Sequence, residues 1–188
     1  MPGSTLDAFA TSTVLVAVAE IGDKTQLLSF ALAARYRRAW PIVCGILVAT
    51  LANHALAGSL GVALAVHLDP RLTVWLVGGS FLAFGIWALV PDRLESAPRP
   101  LGGVFLTTTA AFFVAEMGDK TQLATVALGA RHAMPVVVTL GTTLGMMIAN
   151  VPAVLLGGRL AERLPLHAMR YVASALFVAT GAATLLFG

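Results

Sequence analysis

Charge is what this 188-residue chain has least of. Asp, Glu, Lys and Arg make up 11% of it, against about 25% in a soluble domain. Hydrophobic residues make up 58% and the mean hydropathy is +0.87, so the chain is an integral membrane protein rather than a soluble domain. Cysteine is nearly absent: Cys44 stands alone inside an apolar run, which excludes an internal disulfide and a thiolate metal cage. Softer metals thereby lose their usual ligands. No basic stretch precedes the first apolar run, which continues past signal-peptide length without a clear cleavage site, so this segment is expected to be retained. No Walker lysine follows a glycine-rich loop, and no GxGxxG joins a strand to a helix. A nucleophile–base–acid set for covalent catalysis is missing as well.

What the chain has instead is apolar length. Runs fall at about 6–34, 41–67, 72–90, 101–130, 135–160 and 166–187, each near or above the roughly 20 residues that cross a bilayer as a helix. The polar, proline-bearing stretch 91–100 joins two halves of three runs each. Sliding one half on the other by 96 positions, with no gap, superposes Glu20 on Glu116, Gly45 on Gly141, Gly61 on Gly157, Phe81 on Phe177 and Gly85 on Gly181. The expectation is an all-α polytopic membrane protein of six transmembrane helices, with one three-helix unit in 1–90, a cytoplasmic linker at 91–100 and a second unit in 101–188. An odd number of spans per unit makes the two copies face opposite ways, as in the inverted repeats of many secondary transporters.

Orientation follows from the turns. Those after spans one, three and five carry Arg35, Arg37, Arg38, Arg93, Arg99, Arg159, Arg163 and Arg170, whereas the opposite side carries Arg71 and Arg131. By the positive-inside rule the first set is cytoplasmic, which puts both termini outside the cytoplasm of a cell (inner) membrane. The net charge of +3 is thus a topology signal, and nucleic acid is not an expected partner. Trp40, Trp75 and Trp87 lie near span ends, where aromatic belts form. Gly141-Thr-Thr-Leu-Gly145 and Gly58, Gly61, Gly78, Gly157 and Gly158 read as helix-packing positions.

The charge that remains inside the membrane is concentrated in one duplicated octapeptide, Glu20-Ile-Gly-Asp-Lys-Thr-Gln-Leu27 and Glu116-Met-Gly-Asp-Lys-Thr-Gln-Leu123. A charge near the bilayer centre costs at least about 2.5 kcal/mol, so each is a functional hypothesis by default. On an unbroken helix Glu20, Asp23, Lys24 and Leu27 share a face, as do Glu116, Asp119, Lys120 and Leu123. Four carboxylates, with Gln26, Gln122, Thr25 and Thr121 as neutral oxygen donors, suit a hard or borderline divalent cation such as Mn²⁺, Ca²⁺ or Mg²⁺. Thr25 and Gln26 point away from that face unless the helix unwinds at Gly22, and the same holds at Gly118. Lys24 and Lys120 trim the site's charge. The plainer reading makes Glu20–Lys24 and Glu116–Lys120 i, i+4 pairs that only hold the bundle together, yet buried ion pairs stabilise weakly and each motif keeps one acid unpaired. His54 and Asn150 correspond under the 96-residue shift, with Asn53 adjacent. All three either line the cavity or serve as interhelical hydrogen-bonding groups, and His54 also offers a titratable imidazole for proton transfer.

At these paired motifs the chain resembles the GDT family of membrane cation/proton exchangers, which includes bacterial MneA-type manganese exporters and Golgi Mn²⁺/Ca²⁺ transporters. The family's duplicated E-x-G-D-[KR]-[ST] stands here as Glu20 to Thr25 and Glu116 to Thr121 without departure. The resemblance implies a non-enzymatic transporter with no bound cofactor, exporting Mn²⁺ or Ca²⁺ against inward proton flow, with the motif acids as ligands. Rival readings are a cation channel using the same acids, an intramembrane metal-dependent hydrolase, for which one deep histidine is a poor ligand set, and a non-transporting regulatory subunit.

Overall fold

The computed structural model describes residues 4–91, 100–156 and 166–188. The predicted linker, with Arg93 and Arg99, and the turn bearing Gly157, Gly158, Arg159 and Arg163 lie outside the described residues. Eight α-helices and no strand are found among those described: α1 (Thr5–Glu20), α2 (Lys24–Tyr36), α3 (Ala39–His67), α4 (Pro70–Trp87), α5 (Val104–Glu116), α6 (Lys120–His132), α7 (Pro135–Leu156) and α8 (Leu166–Phe187). Three of them are long and apolar enough to cross a membrane, and α1 with α2, bent by 66°, makes a fourth candidate when the pair is counted as one span. The fourth apolar run is likewise divided, into α5 and α6 of 13 residues each. At 1.5 Å per residue each covers only about 20 Å and cannot span alone.

The helix limits themselves recur at the 96-residue offset. α1 and α5 end at Glu20 and Glu116, α2 and α6 run from Lys24 to Tyr36 and from Lys120 to His132, α3 and α7 start at Ala39 and Pro135, and α4 and α8 start at Pro70 and Leu166. Both breaks turn on a glycine with positive φ, Gly22 at 84° and Gly118 at 79°, a region that costs other L-residues about 1–2 kcal/mol. α2 and α6 then close on Arg37 and Ala133, left-handed caps whose N–H groups bond to Ala33 and Gly129 carbonyls, each at 3.0 Å.

Each half packs on the other more than on itself. α1 lies along α7, α5 along α3, α4 along α8, and α3 against α7 at the centre. Lipid provides no hydrophobic drive for such contacts, so they depend on close backbone approach. A Cβ on Gly145 would come within 2.6 Å of the Thr13 carbonyl oxygen, and one on Gly45 within 2.8 Å of the Thr108 Cβ. Phe81 and Phe177, superposed by the 96-residue shift, stack on each other with centroids 6.3 Å apart, as residues beside a two-fold axis do. Large apolar side chains such as Leu56, Val66, Val114 and Leu155 are exposed on the outside of the bundle, where lipid tails cover them.

Candidate functional site

The two breaks bring the duplicated motifs together inside the bundle. Glu20, Asp23, Glu116, Asp119 and Lys120 are all at most 3% exposed. Because α1 and α5 stop at their glutamates, the shared-face geometry of an unbroken helix does not hold. Glu20 and Glu116 sit at helix C-termini, and Asp23 and Asp119 are the N-cap residues of the following helices. Asp119 accepts the Lys120 backbone N–H at 2.7 Å, a carboxylate set against the positive end of a helix dipole, while the last carbonyls of α1 and α5 supply negative potential suited to a cation.

The ion pairs cross between halves. Lys24 Nζ is 3.1 Å from Asp119 Oδ2, and Lys120 Nζ is paired with Asp23 Oδ1. The i, i+4 pairs Glu20–Lys24 and Glu116–Lys120 are therefore not formed, because the break rotates each lysine away from its own glutamate and toward the other motif. Glu116 is in electrostatic contact with Glu20, Asp119 and Lys24, and Glu20 with Asp119 and Lys120. All six charges thus form one cluster. The two pairs differ in access: the Lys24 side chain is 28% exposed and that of Lys120 4%.

The threonines come into use through the unwinding. Thr25 Oγ1 donates to Glu20 Oε2, and Thr121 Oγ1 donates to Glu116 Oε2 at 3.0 Å. The other oxygen of each glutamate, Oε1, is buried without a hydrogen-bond partner, an expensive state for a carboxylate in a dry interior. The glutamines clamp the breaks. Gln26 Oε1 accepts the Gly22 N–H at 2.9 Å and Gln122 Oε1 accepts the Gly118 N–H at 2.7 Å, leaving each oxygen one lone pair. Gln26 Nε2 donates to the Ala149 carbonyl, and Gln122 Nε2 to Asn53 Oδ1 at 3.4 Å.

Asn53 and Asn150 reach this assembly from α3 and α7. Asn53 donates to the Phe113 carbonyl at 2.9 Å, and Asn150 accepts from Ser29 Oγ at 2.8 Å. His54 is fully buried, both its ring nitrogens lack a hydrogen-bond partner among the described residues, and its backbone carbonyl accepts from Thr139. Sequence reasoning missed Ser29, one turn beyond Thr25 on α2, although a hydroxyl at that spacing inside an apolar run was a usable signal. It also missed Arg170, which with Ala88 and Ala173 bounds a cavity of about 10 Å³ beside Asp23 and Lys120, room for about one water. Among the described residues no three His, Cys, Asp or Glu side chains meet in metal-binding geometry. The lysines hold the aspartates instead.

The family model described as "Divalent cation/proton antiporter GDT1" matches residues 8–96 and again 104–188, the second match starting where the 96-residue offset puts it. A Vibrio cholerae protein named "Putative manganese exporter" is 48% identical over 97% of this chain and 92% of its own length. A GDT1-like protein of Synechocystis is 30% identical over 84% of this chain and 88% of its own length. GDT1-like protein 5 of Arabidopsis thaliana is 27% identical over 98% of this chain and 97% of its own. No solved structure matches. With the family model covering both halves and these relatives spanning nearly the whole chain, the protein belongs to the GDT1 family of divalent cation transporters and is not an enzyme.

Proposed function

We propose that the chain exports a divalent cation, Mn²⁺ in the first instance and Ca²⁺ as the alternative, in exchange for protons across the cell (inner) membrane. Two inverted three-helix units, 1–90 and 101–188, alternate access to one midplane site, with the linker 91–100 in the cytoplasm and both termini outside it. Glu20, Asp23, Glu116 and Asp119 are the ligands, Gln26 and Gln122 supply neutral oxygens, and Thr25 and Thr121 orient the glutamates. The crossed pairing of Lys24 with Asp119 and Lys120 with Asp23 supports this reading, because it brings the charged groups of both motifs together. A cation entering between the partnerless Glu20 and Glu116 oxygens draws the aspartates from the lysines, and its departure returns them.

Alternation is supported by a break in the pseudo-symmetry. Among the described residues α4 packs on α6 and α1 on α8 more extensively than their counterparts under the 96-residue shift, α8 on α2 and α5 on α4, do. In this reading, exchanging the two sets of contacts yields the opposite-facing state. The manganese preference rests on the Vibrio cholerae relative's name and on an all-oxygen donor set without thiolate.

Four acids and two lysines carry a formal charge of −2, which one divalent cation neutralises and two protons neutralise equally well. The exchange is then one cation for two protons, driven by the pH gradient rather than by voltage. Reconstituted vesicles clamped with potassium and valinomycin test this: Mn²⁺ flux should follow an imposed pH gradient and change little with voltage. Flux that persists without a counter-gradient and does not saturate identifies a channel instead.

A further inference from the structure

Adjoining hollows surround the first half of α4, away from the motif site. One is a groove of about 220 Å³ between α3, α4 and α6, with apolar walls that include Leu64, Leu76, Phe84, Leu123 and Val126. Thr73, Val77 and Ala130 also line an adjoining cavity of about 320 Å³ between α4, α6 and α8. That second cavity holds the one charged side chain of the pair, Arg131.

Arg131 is partly buried, and no hydrogen bond or ion pair with a described residue engages its guanidinium. The acid acting on it is Asp7 of α1, which is half exposed, accepts from Thr11 and lies 4.0 Å from His132 Nδ1. A guanidinium presents five donors in a fork that fits phosphate oxygens, and here that fork faces a hollow. Trp75, 63% exposed near the start of α4, marks the level of the lipid headgroups. A cation at headgroup level above an apolar channel that descends into the bilayer matches the charge and the division of one class of molecule.

We propose that these adjoining hollows bind an anionic phospholipid, its phosphate on Arg131 and one acyl chain in the groove between α3, α4 and α6. Such a lipid bridges α4 in the first half of the chain to α6 in the second. The site takes in none of the motifs' charged or polar side chains, sharing with them the apolar Leu123 at the end of the second octapeptide, and does not depend on the transport reading.

The full chain, purified in neutral detergent, is to be titrated with phosphatidylglycerol and with phosphatidylcholine of the same acyl chains, and bound lipid counted by native mass spectrometry. One interfacial arginine contributes enough to favour the anionic lipid by about five-fold. That preference should vanish in Arg131→Gln and persist in Arg38→Gln, a basic residue at the opposite end of the bundle. Ala65→Phe, which fills the groove without touching charge, should weaken both lipids. Equal binding of the two lipids by the unmodified chain, retained preference in Arg131→Gln, equal loss in Arg38→Gln, or a lipid-free dimer that excludes lipid from the hollow would each overturn the proposal. A thermal melt of each variant identifies any that has lost its fold, and Ala65→Phe then decides independently of Arg131.

Discussion

Removing the buried lysine of the crossed pairs should cost more stability than removing its counterpart. Lys120 is 3% exposed and held against Asp23, so Lys120→Met breaks a buried ion pair by removing one member, a loss of about 3–5 kcal/mol. The Lys24 side chain is 28% exposed and its pair with Asp119 spans 3.1 Å. Water reaches it and screens the remaining charge, so Lys24→Met should cost only about 1–2 kcal/mol. Adding Asp23→Asn to Lys120→Met removes both charges together and should bring stability back to within about 1–2 kcal/mol of the starting protein. Equilibrium unfolding in mixed micelles, read through the three tryptophans, measures all four proteins. Equal costs for the two lysines, or a coupling between Lys120 and Asp23 below about 0.5 kcal/mol, would refute the crossed geometry.

The remaining predictions address the breaks, the hydroxyls and the topology. Gly118 has φ of +79° and no atom within 4 Å of an added Cβ, so Gly118→Ala should destabilise by about 1–2 kcal/mol through backbone strain alone; a gain of about 0.5–1 kcal/mol would mean a continuous helix there. Thr25→Val and Thr121→Val remove the hydroxyls that hold Glu20 and Glu116 and should lower Mn²⁺ affinity by about 10–100-fold in calorimetry, with unchanged affinity showing those bonds to be idle. A C-terminal reporter active only in the cytoplasm should stay silent, and activity would reverse the orientation.

Much of the architecture was legible because the duplication fixes positions twice. The 96-residue shift drawn from Glu20/Glu116 and Phe81/Phe177 also aligns the helix limits, and Gly22 and Gly118 were readable as weak points since glycine tolerates positive φ. The consequence of those breaks was not legible. A sequence reads as a continuous helix until something interrupts it, so Glu20, Asp23 and Lys24 were placed on one helix face and their partners across the bundle were not foreseen. The 66° bend between α1 and α2 turns Lys24 toward the other half, and the break between α5 and α6 does the same for Lys120. The same holds for Gln26 and Gln122, whose residue type suggested cation donors and whose oxygens are engaged by the break's own N–H groups. Ser29 acts through a distant partner on α7 and Arg170 lines a cavity shared with Asp23, and no spacing in their own helices announces either.

The central claim is that two motifs make one cation site. Mn²⁺ binding to the purified chain, counted by calorimetry for the unmodified protein, Glu20→Gln and Glu116→Gln, tests it most directly. The account predicts one ion per chain, lost in each variant separately. Two ions per chain, or one site surviving in each variant, would contradict it.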